Sequence, residues 1–239
     1  MILGNLCTRG CGFCSVPKGN PHKKEFSLDP REPANVARMA RAMGLQYVVI
    51  TSVNRDDLVD GGSYHFAETV REVRKSLPEA RIEVLTPDFC GDLDTVRRVL
   101  DAGPDVFNHN METIARLYPR VRPQANYEQS LRVLQFAKRY RPGMLTKSGL
   151  MVGLGESPEE VCELLKDLRQ KGSADLATIG QYLQPTRRNL PVTTYVTPAQ
   201  FDAWRSYGHG IGFRAVFSGP FVRSSYMADH VNAEAERLR

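Results

Sequence analysis

The chain has 239 residues, a mass of 26.8 kDa and a net charge of +5, with 41% hydrophobic and 25% charged residues. This is the composition of a globular protein and excludes a disordered or fibrous chain. A chain of this length buries roughly 70% of the surface its unfolded state exposes, so one domain over residues 1–239 is expected.

Ile2–Leu3 reads as the end of a first strand that runs into a cysteine-rich loop. Residues 17–33 carry four prolines and read as a second loop. Val36, Met39, Ala40 and Met43 recur with helical period. Tyr47–Thr51 (YVVIT) is a β-branched run. A polar loop follows it, then a helix with Ser63 as cap and Phe66, Val70, Val73 and Leu77 as its apolar stripe. Further strands are expected at Arg81–Leu85, Val106–Asn110, Ser148–Val152 and Leu176–Ile179. Ser157-Pro158-Glu159-Glu160 supplies a serine cap, a proline at the first helical position and a glutamate three residues on. The stripe Val161, Leu164, Leu165 and Leu168 follows, and Thr197-Pro198-Ala199-Gln200 repeats the start signal. Residues 180–197 lack helical period and are expected to run extended. Residues from about 212 to 239 read as a C-terminal extension.

Strands alternating with helices imply a parallel sheet in an α/β fold. The count is about six units, fewer than the eight of a closed barrel. Pattern alone leaves an open six-unit barrel and a doubly wound sheet as alternatives. No stretch approaches the 18 apolar residues of a membrane span. The basic residues come in scattered pairs rather than the blocks of a nucleic-acid arm. Neither membrane nor nucleic acid is therefore an expected partner. The opening MILGNLCTRG has no basic n-region and no long apolar segment. A cytoplasmic location follows, or an organellar one if a transit peptide was removed.

Cys7, Cys11, Cys14, Cys90 and Cys162 are an odd set, with three of them inside eight residues. In a reducing compartment such a cluster holds metal or does chemistry rather than forming disulfides. A tetrahedral zinc site wants four ligands, commonly from two pairs, and a second pair is absent. Three thiolates suit a [4Fe–4S] cluster with its fourth iron open to a ligand.

The C-x3-C-x2-C spacing, with Phe13 just before the third cysteine, is the signature of the radical S-adenosylmethionine enzymes. MILGNLCTRGCGFC, VVITSVNRDDLVDGG, PDVFNHNMET, LYPRVRP, TKSGLMVGLGE, GQYLQPT and GPFVRSSYMAD, in that order, resemble the lipoyl synthases. These segments span Met1 to Asp229. The resemblance implies a partial (β/α)6 barrel and a [4Fe–4S] cluster on Cys7, Cys11 and Cys14. It implies that the open iron chelates S-adenosylmethionine, whose reductive cleavage yields a hydrogen-abstracting 5′-deoxyadenosyl radical. Two sulfurs would then be inserted at C6 and C8 of an octanoyl group carried on a lysine. The implied partners are an octanoylated lipoyl-carrier domain, expected to be acidic against this basic chain, and an electron donor such as ferredoxin or flavodoxin.

Phe13, Thr51, Asn54, Asn108, Asn110, Glu112 and Lys147 are the candidates for holding the cofactor. Thr51 and Asn54 follow the YVVI strand, Asn108 to Glu112 end another, and Lys147 is a counter-charge for a carboxylate. Each also has a bland reading, as turn polarity or a solvated lysine. Arg120 and Arg122 read as neutralisers of acidic groups or as surface residues. His109 reads as structural, Met39, Met43, Met111 and Met151 as core filler, and Cys162 as a small hydrophobe. No general acid or base is assigned.

The resemblance also implies a second, sulfur-donating cluster on an upstream C-x4-C-x5-C segment and a serine of RSSY. Ser225 is assigned here over Ser224. The upstream cysteines are not in this sequence, so the expectation is a single-cluster chain, whether through a late start codon, a cut or a natural loss. The competing readings are a barrel that binds cofactor or carrier without inserting sulfur, and a different single-cluster radical reaction.

Overall fold

A computed structural model describes residues 1–19 and 27–225. Helices and strands alternate as α1 (Glu32–Ala42), β1 (Tyr47–Thr51), α2 (Ser63–Ser76), β2 (Arg81–Leu85), α3 (Leu93–Asp101) and β3 (Val106–Asn108). They continue as α4 (Tyr118–Val121), α5 (Tyr127–Tyr140), β4 (Leu145–Val152), α6 (Pro158–Gln170), β5 (Leu176–Gln181), α7 (Pro198–Gly210) and β6 (Ala215–Gly219). The strands form one parallel sheet in the order β1-β2-β3-β4-β5-β6. A doubly wound sheet reverses its strand order at a switch point, and this sheet does not. With right-handed crossovers throughout, sequential order puts every helix on one face and curls the sheet around the other. The result is the open, partial (β/α)6 barrel.

Outward-facing Ile82, Val84 and Phe107 pack with Phe66, Val70, Val73, Val96 and Leu134 in the main core. Inside, Val106, Leu145, Leu176 and Ala215 form a separate floor with Phe217 against it. Two residues further along β3 and β4 the interior turns polar, at Asn108 and Lys147. The capping expectations at α6 and α7 hold. Ser157 and Glu160 make a reciprocal capping box, and Thr197 accepts from Gln200 N–H; each such cap contributes about 1 kcal/mol.

Several expectations are corrected. Ile2–Leu3 is not a strand: Ile2 makes a single parallel bridge to Ser52, and the sixth strand is Ala215–Gly219 instead. That strand lies within the segment read as an extension from 212; residues 226–239 lie outside the described residues. β4 begins at Leu145 and β5 continues to Gln181; β5 is buried along its length and β4 at every residue but Met151. Ser63 is not the cap of α2. Gly62 takes that place at φ 86°, and the Asp60 carboxylate accepts from Gly62 N–H and Tyr64 N–H. Met39 and Met43 are 55% and 66% exposed. α1 buries Pro33, Ala37 and Ala40 instead, and the small alanines turn the methionine stripe outward. Met111 is fully buried and Met151 half-buried, while Cys162 packs half-buried against the core. No described helix is long and apolar enough to cross a membrane.

Candidate cofactor site at the barrel mouth

The cysteine loop lies over the carboxyl ends of the strands, where barrel folds build their sites. Its entry is fixed to the end of β1, because Ile2 N–H donates to Thr51 O at 2.7 Å and Thr8 N–H to Asn54 O at 3.0 Å. Gly12 N–H donates to Val121 O, and Gly12 O accepts from Leu190 N–H. The Asn189 amide reaches across to the carbonyls of Gly12 and Cys14, at 3.2 and 3.0 Å. Residues 182–197 form neither helix nor strand and serve as the strap that carries Asn189 and Leu190. A Cβ on Gly12 would stand 2.8 Å from Leu190 Cδ1, so glycine is what lets strap and loop meet. Asn189→Ala removes two of the loop's outer hydrogen bonds at a cost of about 1 kcal/mol each. The variant should still fold, with Tm lowered by about 4–8 °C, and lose a reconstituted cluster to chelator several-fold faster than the parent at temperatures where both are folded. Unchanged bleaching kinetics would show that the strap does not support the loop.

Arg9, inside the motif, is buried between two carboxylates. Its guanidinium donates to both oxygens of Asp56, at 2.7 and 2.9 Å, and to both of Asp88, at 2.9 and 2.6 Å. Asp88 is fully buried. Burial alone would raise its pKa, but the Arg9 hydrogen bonds and charge outweigh it and hold the carboxyl down at about 2. Two bidentate pairs fix the loop's path in a way a lysine could not.

Cys7, Cys11 and Cys14 line one cavity of about 150 Å3, together with Phe13, Thr51, Asn54, Asn110 and Glu112. No three described His, Cys, Asp or Glu side chains close on a single ion. The cavity also concentrates unmet polar groups. Of seven buried side-chain atoms without a partner among the described residues, five belong to its lining: Ser52 Oγ, Asn54 Oδ1, Thr86 Oγ1, Asn110 Oδ1 and Arg122 Nε. Unpaired buried polar atoms are costly and rare, so their convergence suits a polar ligand carrying both donors and acceptors. The residues present therefore fit a cluster with S-adenosylmethionine beside it.

Asn110 and Glu112 reach the mouth through a break in the ladder. β3 stops at Asn108, short of the expected Asn110, and the chain rejoins β4 only at the Glu112–Leu150 bridge. Between them His109 bonds to Ser130 on α5 and Met111 joins the main core, while Asn110 and Glu112 line the mouth, as an irregular strand end re-aims side chains. Glu112 sits at φ 66°, a strained conformation of the kind held in place at functional sites. Burial raises its pKa, opposed by Arg122 and by the Asn110 hydrogen bond. Burial likewise pushes the Cys11 thiol up, with the Arg122 charge pulling it down. Arg122 is buried, unlike the surface arginine Arg120. It donates to Asn110 O and Met111 O and lies over the Tyr118 ring. His109 donates from Nδ1 to Thr86 O and accepts at Nε2 from Ser130. Burial drops its pKa to about 4, so it remains a neutral structural imidazole.

Two cofactor candidates fall elsewhere. Asn108 is inside the barrel, donating to Glu83 Oε1 at 2.8 Å. Lys147 is neither solvated nor on the cavity wall: it is fully buried and paired with Glu83. β4 carries it inward below the mouth, which is why its charge is taken up before any cofactor is met.

A second cavity of about 280 Å3 adjoins the first and shares Thr51, Leu85, Asn110 and Glu112 with it. Its other walls include Val49, Leu150, Met151 and the segment Val222–Ser225. Asn110 Nδ2 donates to Ser224 Oγ at 2.7 Å, which engages Ser224 and leaves Ser225 exposed at the cavity rim. Cys90 and Cys162 line neither cavity. Among the described residues, no cysteine accompanies Ser225 at this cavity.

Arg9, Asp56, Asp88 and Asn189 were missed in the sequence. Only Arg9 carried a signal, its place within the cysteine motif; its partners lie 47 and 79 positions away.

The Radical SAM superfamily profile matches residues 1–168. The lipoyl synthase of Rubrobacter xylanophilus is 54% identical over 237 residues, which cover 99% of this chain and 72% of that protein. Those of Halorhodospira halophila and Thermus thermophilus are 56% and 53% identical, over 97% and 98% of this chain and 68% and 72% of theirs. Among solved structures, methylornithine synthase superposes with a TM-score of 0.64 at 15% identity, over the whole chain and 79% of its own. The [FeFe]-hydrogenase maturase HydG gives 0.69 at 13%, over 99% of this chain and 54% of its own. At those identities the structures speak for the partial barrel alone. The near-full-length relatives speak for the reaction, and on them this chain belongs to the lipoyl synthase family of radical S-adenosylmethionine enzymes.

Proposed function

We propose that Cys7, Cys11 and Cys14 hold the family's [4Fe–4S] cluster, and that Phe13, Thr51, Asn54, Asn110 and Glu112 receive S-adenosylmethionine beside it. The octanoyl chain of the protein substrate lies in the second cavity. The observation that carries this reading is the shared wall of the two cavities. Reactive centre and alkyl chain would meet there at Thr51, Leu85, Asn110 and Glu112.

When bound, the cluster and S-adenosylmethionine supply one-electron reductive cleavage and hydrogen abstraction from unactivated carbon. The protein's part is to bind, orient and exclude water. Asn54 and Asn110 offer unpaired amide oxygens to the cofactor's ammonium, and Arg122 offsets the negative charge of thiolates and carboxylates. Val49, Leu85, Leu150 and Met151 take the alkyl chain, with about 0.8 kcal/mol gained per buried methylene.

The family reaction places sulfur at C6 and C8. The three cysteines that the resemblance assigns to the sulfur-donating cluster are not among these 239 residues. The carrier is read as an acidic lipoyl-bearing domain, drawn to a chain of net charge +5, and the electron donor as a ferredoxin or flavodoxin. A reducing, cytoplasmic setting suits the free thiols.

Met151→Trp tests the two-cavity arrangement by filling the second cavity. It should weaken binding of an octanoyl-lysine peptide at least tenfold while S-adenosylmethionine still binds. Equal loss of both ligands, or of neither, would overturn the assignment of the second cavity.

A further inference from the structure

Lys147 and Glu83 are buried at 0% and 1% exposure, and the reading above uses neither. The Lys147 ammonium donates to Glu83 Oε1 and Oε2 at 2.9 and 3.1 Å, and to the carbonyl of Ser224 at 2.6 Å. An ammonium has three donors, and all three are engaged. The third reaches a backbone atom 77 positions away, in the RSSY motif. On the far side Tyr47 and Asn108 hold Glu83, at 2.6 and 2.8 Å. The Ser224 hydroxyl is tied to Asn110, and Asn110 to Glu112. Ser224 is thus held on two sides, by its hydroxyl to Asn110 at the cofactor cavity and by its carbonyl to a charge pair inside the barrel.

The strands beneath are cut away to receive this segment. A Cβ on Gly180 would stand 2.1 Å from Val222 O. One on Gly149 would stand 2.8 Å from Asn110 Oδ1 and 3.1 Å from Ser224 Oγ. Both glycines lie in strands, where the residue is otherwise unfavourable and often marks close backbone approach. A buried ion pair is weak evidence for stability, since desolvation offsets its attraction. Its directional third bond is the feature that a purely structural pair would not need.

We propose that Lys147 is a positioning residue: it latches the Ser224 carbonyl and so fixes Val222–Ser225 as a wall of the second cavity, presenting Ser225 at its rim. The proposal rests on the reading of that cavity as the alkyl-chain site. The latch sets how tightly the octanoyl group is held, without touching the cofactor.

The test is the double variant K147M/E83Q, in which no buried charge is left unpaired. The side-chain amide that E83Q introduces can still accept from Asn108 and meet Tyr47, so the fold is retained and a Tm measurement verifies it. Hydrogen exchange of the amides at 222–225 should quicken at least tenfold. Affinity for an octanoyl-lysine peptide should fall at least tenfold, and that for S-adenosylmethionine should hold. E83Q alone keeps the bond from Lys147 to Ser224 but leaves the buried ammonium without its carboxylate, so its Tm should fall below that of the double variant. Read at temperatures where it remains folded, its exchange at 222–225 and its peptide affinity should stay closer to the parent than those of K147M/E83Q. Parental exchange and affinity in the double variant would reduce the pair to a core ion pair and overturn the latch. Weakened S-adenosylmethionine binding would put the Lys147 charge on the cofactor and overturn it too. If the parent binds no octanoyl peptide but the double variant still exchanges faster, the latch stands and the reading of the cavity fails.

Discussion

Anaerobic reconstitution of the 239-residue chain is expected to give about four irons and four sulfides per chain, the content of one [4Fe–4S] cluster on three thiolates. C7A/C11A/C14A should give neither. The argument is geometric. Cys7, Cys11 and Cys14 line one cavity, and they are the thiols that do. Cys90 is engaged with Asp56 and Arg9, and Cys162 sits on α6. 5′-Deoxyadenosine formation from S-adenosylmethionine with a chemical reductant should disappear with the cluster, while the circular dichroism of the fold persists. Bound zinc in place of iron would sink the assignment. About eight irons would show that other residues of this chain hold a second cluster. Lipoylated peptide made by this chain alone would overturn the account of the Ser225 site.

The second large effect is at Arg9. Arg9→Met leaves Asp88 buried beside Asp56 with no counter-charge, and removing one partner of a buried pair costs about 3–5 kcal/mol. Stabilities are around 5–15 kcal/mol, so this is a large share. The sign with pH follows from Asp88, whose folded pKa of about 2 lies below the unfolded value of about 3.9. A depressed carboxyl contributes its full stability above the unfolded pKa and loses it as the pH falls toward the folded one. The deficit of Arg9→Met should therefore be greatest at neutral pH and narrow between about pH 4 and pH 2. Arg9→Lys keeps the charge but not the fork and should fall between parent and Arg9→Met. Urea unfolding at pH 7 and pH 3 measures both, and a deficit independent of pH would refute the role given to Asp88. Because Arg9 lies between Cys7 and Cys11, the same variant should also hold iron poorly at temperatures where it remains folded.

What could be read from the chain was whatever is local or periodic. The runs at Tyr47–Thr51 and Arg81–Leu85 are strands with those bounds, because β-branched residues between turn signals suffice. Ser157 and Thr197 cap their helices as their spacing predicts. The cysteine triad was legible because ligand spacing is a short-range code. Failures came where neighbours decide. Ile2–Leu3 looked like a strand, but only one bridge is available to it beside Ser52. Ala215–Gly219 became the sixth strand because β5 lies alongside to pair with it. Met39 and Met43 fit a buried stripe by period, yet the packing of α1 through its alanines turned them outward.

The repeating strand–helix order, the three thiols and the motifs shared with lipoyl synthases are local features, and they are written in the residues directly. Tertiary structure alone decided which polar residues share a space. Asn108, Asn110 and Lys147 all read as cofactor candidates, but strand register puts Asn108 and Lys147 side by side within the barrel. The break after β3 lifts Asn110 and Glu112 into both cavities. The pairings of Arg9 with Asp56 and Asp88, of Asn189 with the cysteine loop, and of Lys147 with Ser224 span 47 to 177 positions. No local pattern encodes such contacts. They arise because burying a charge or an amide requires a partner in place, and only the closed fold brings the partner there.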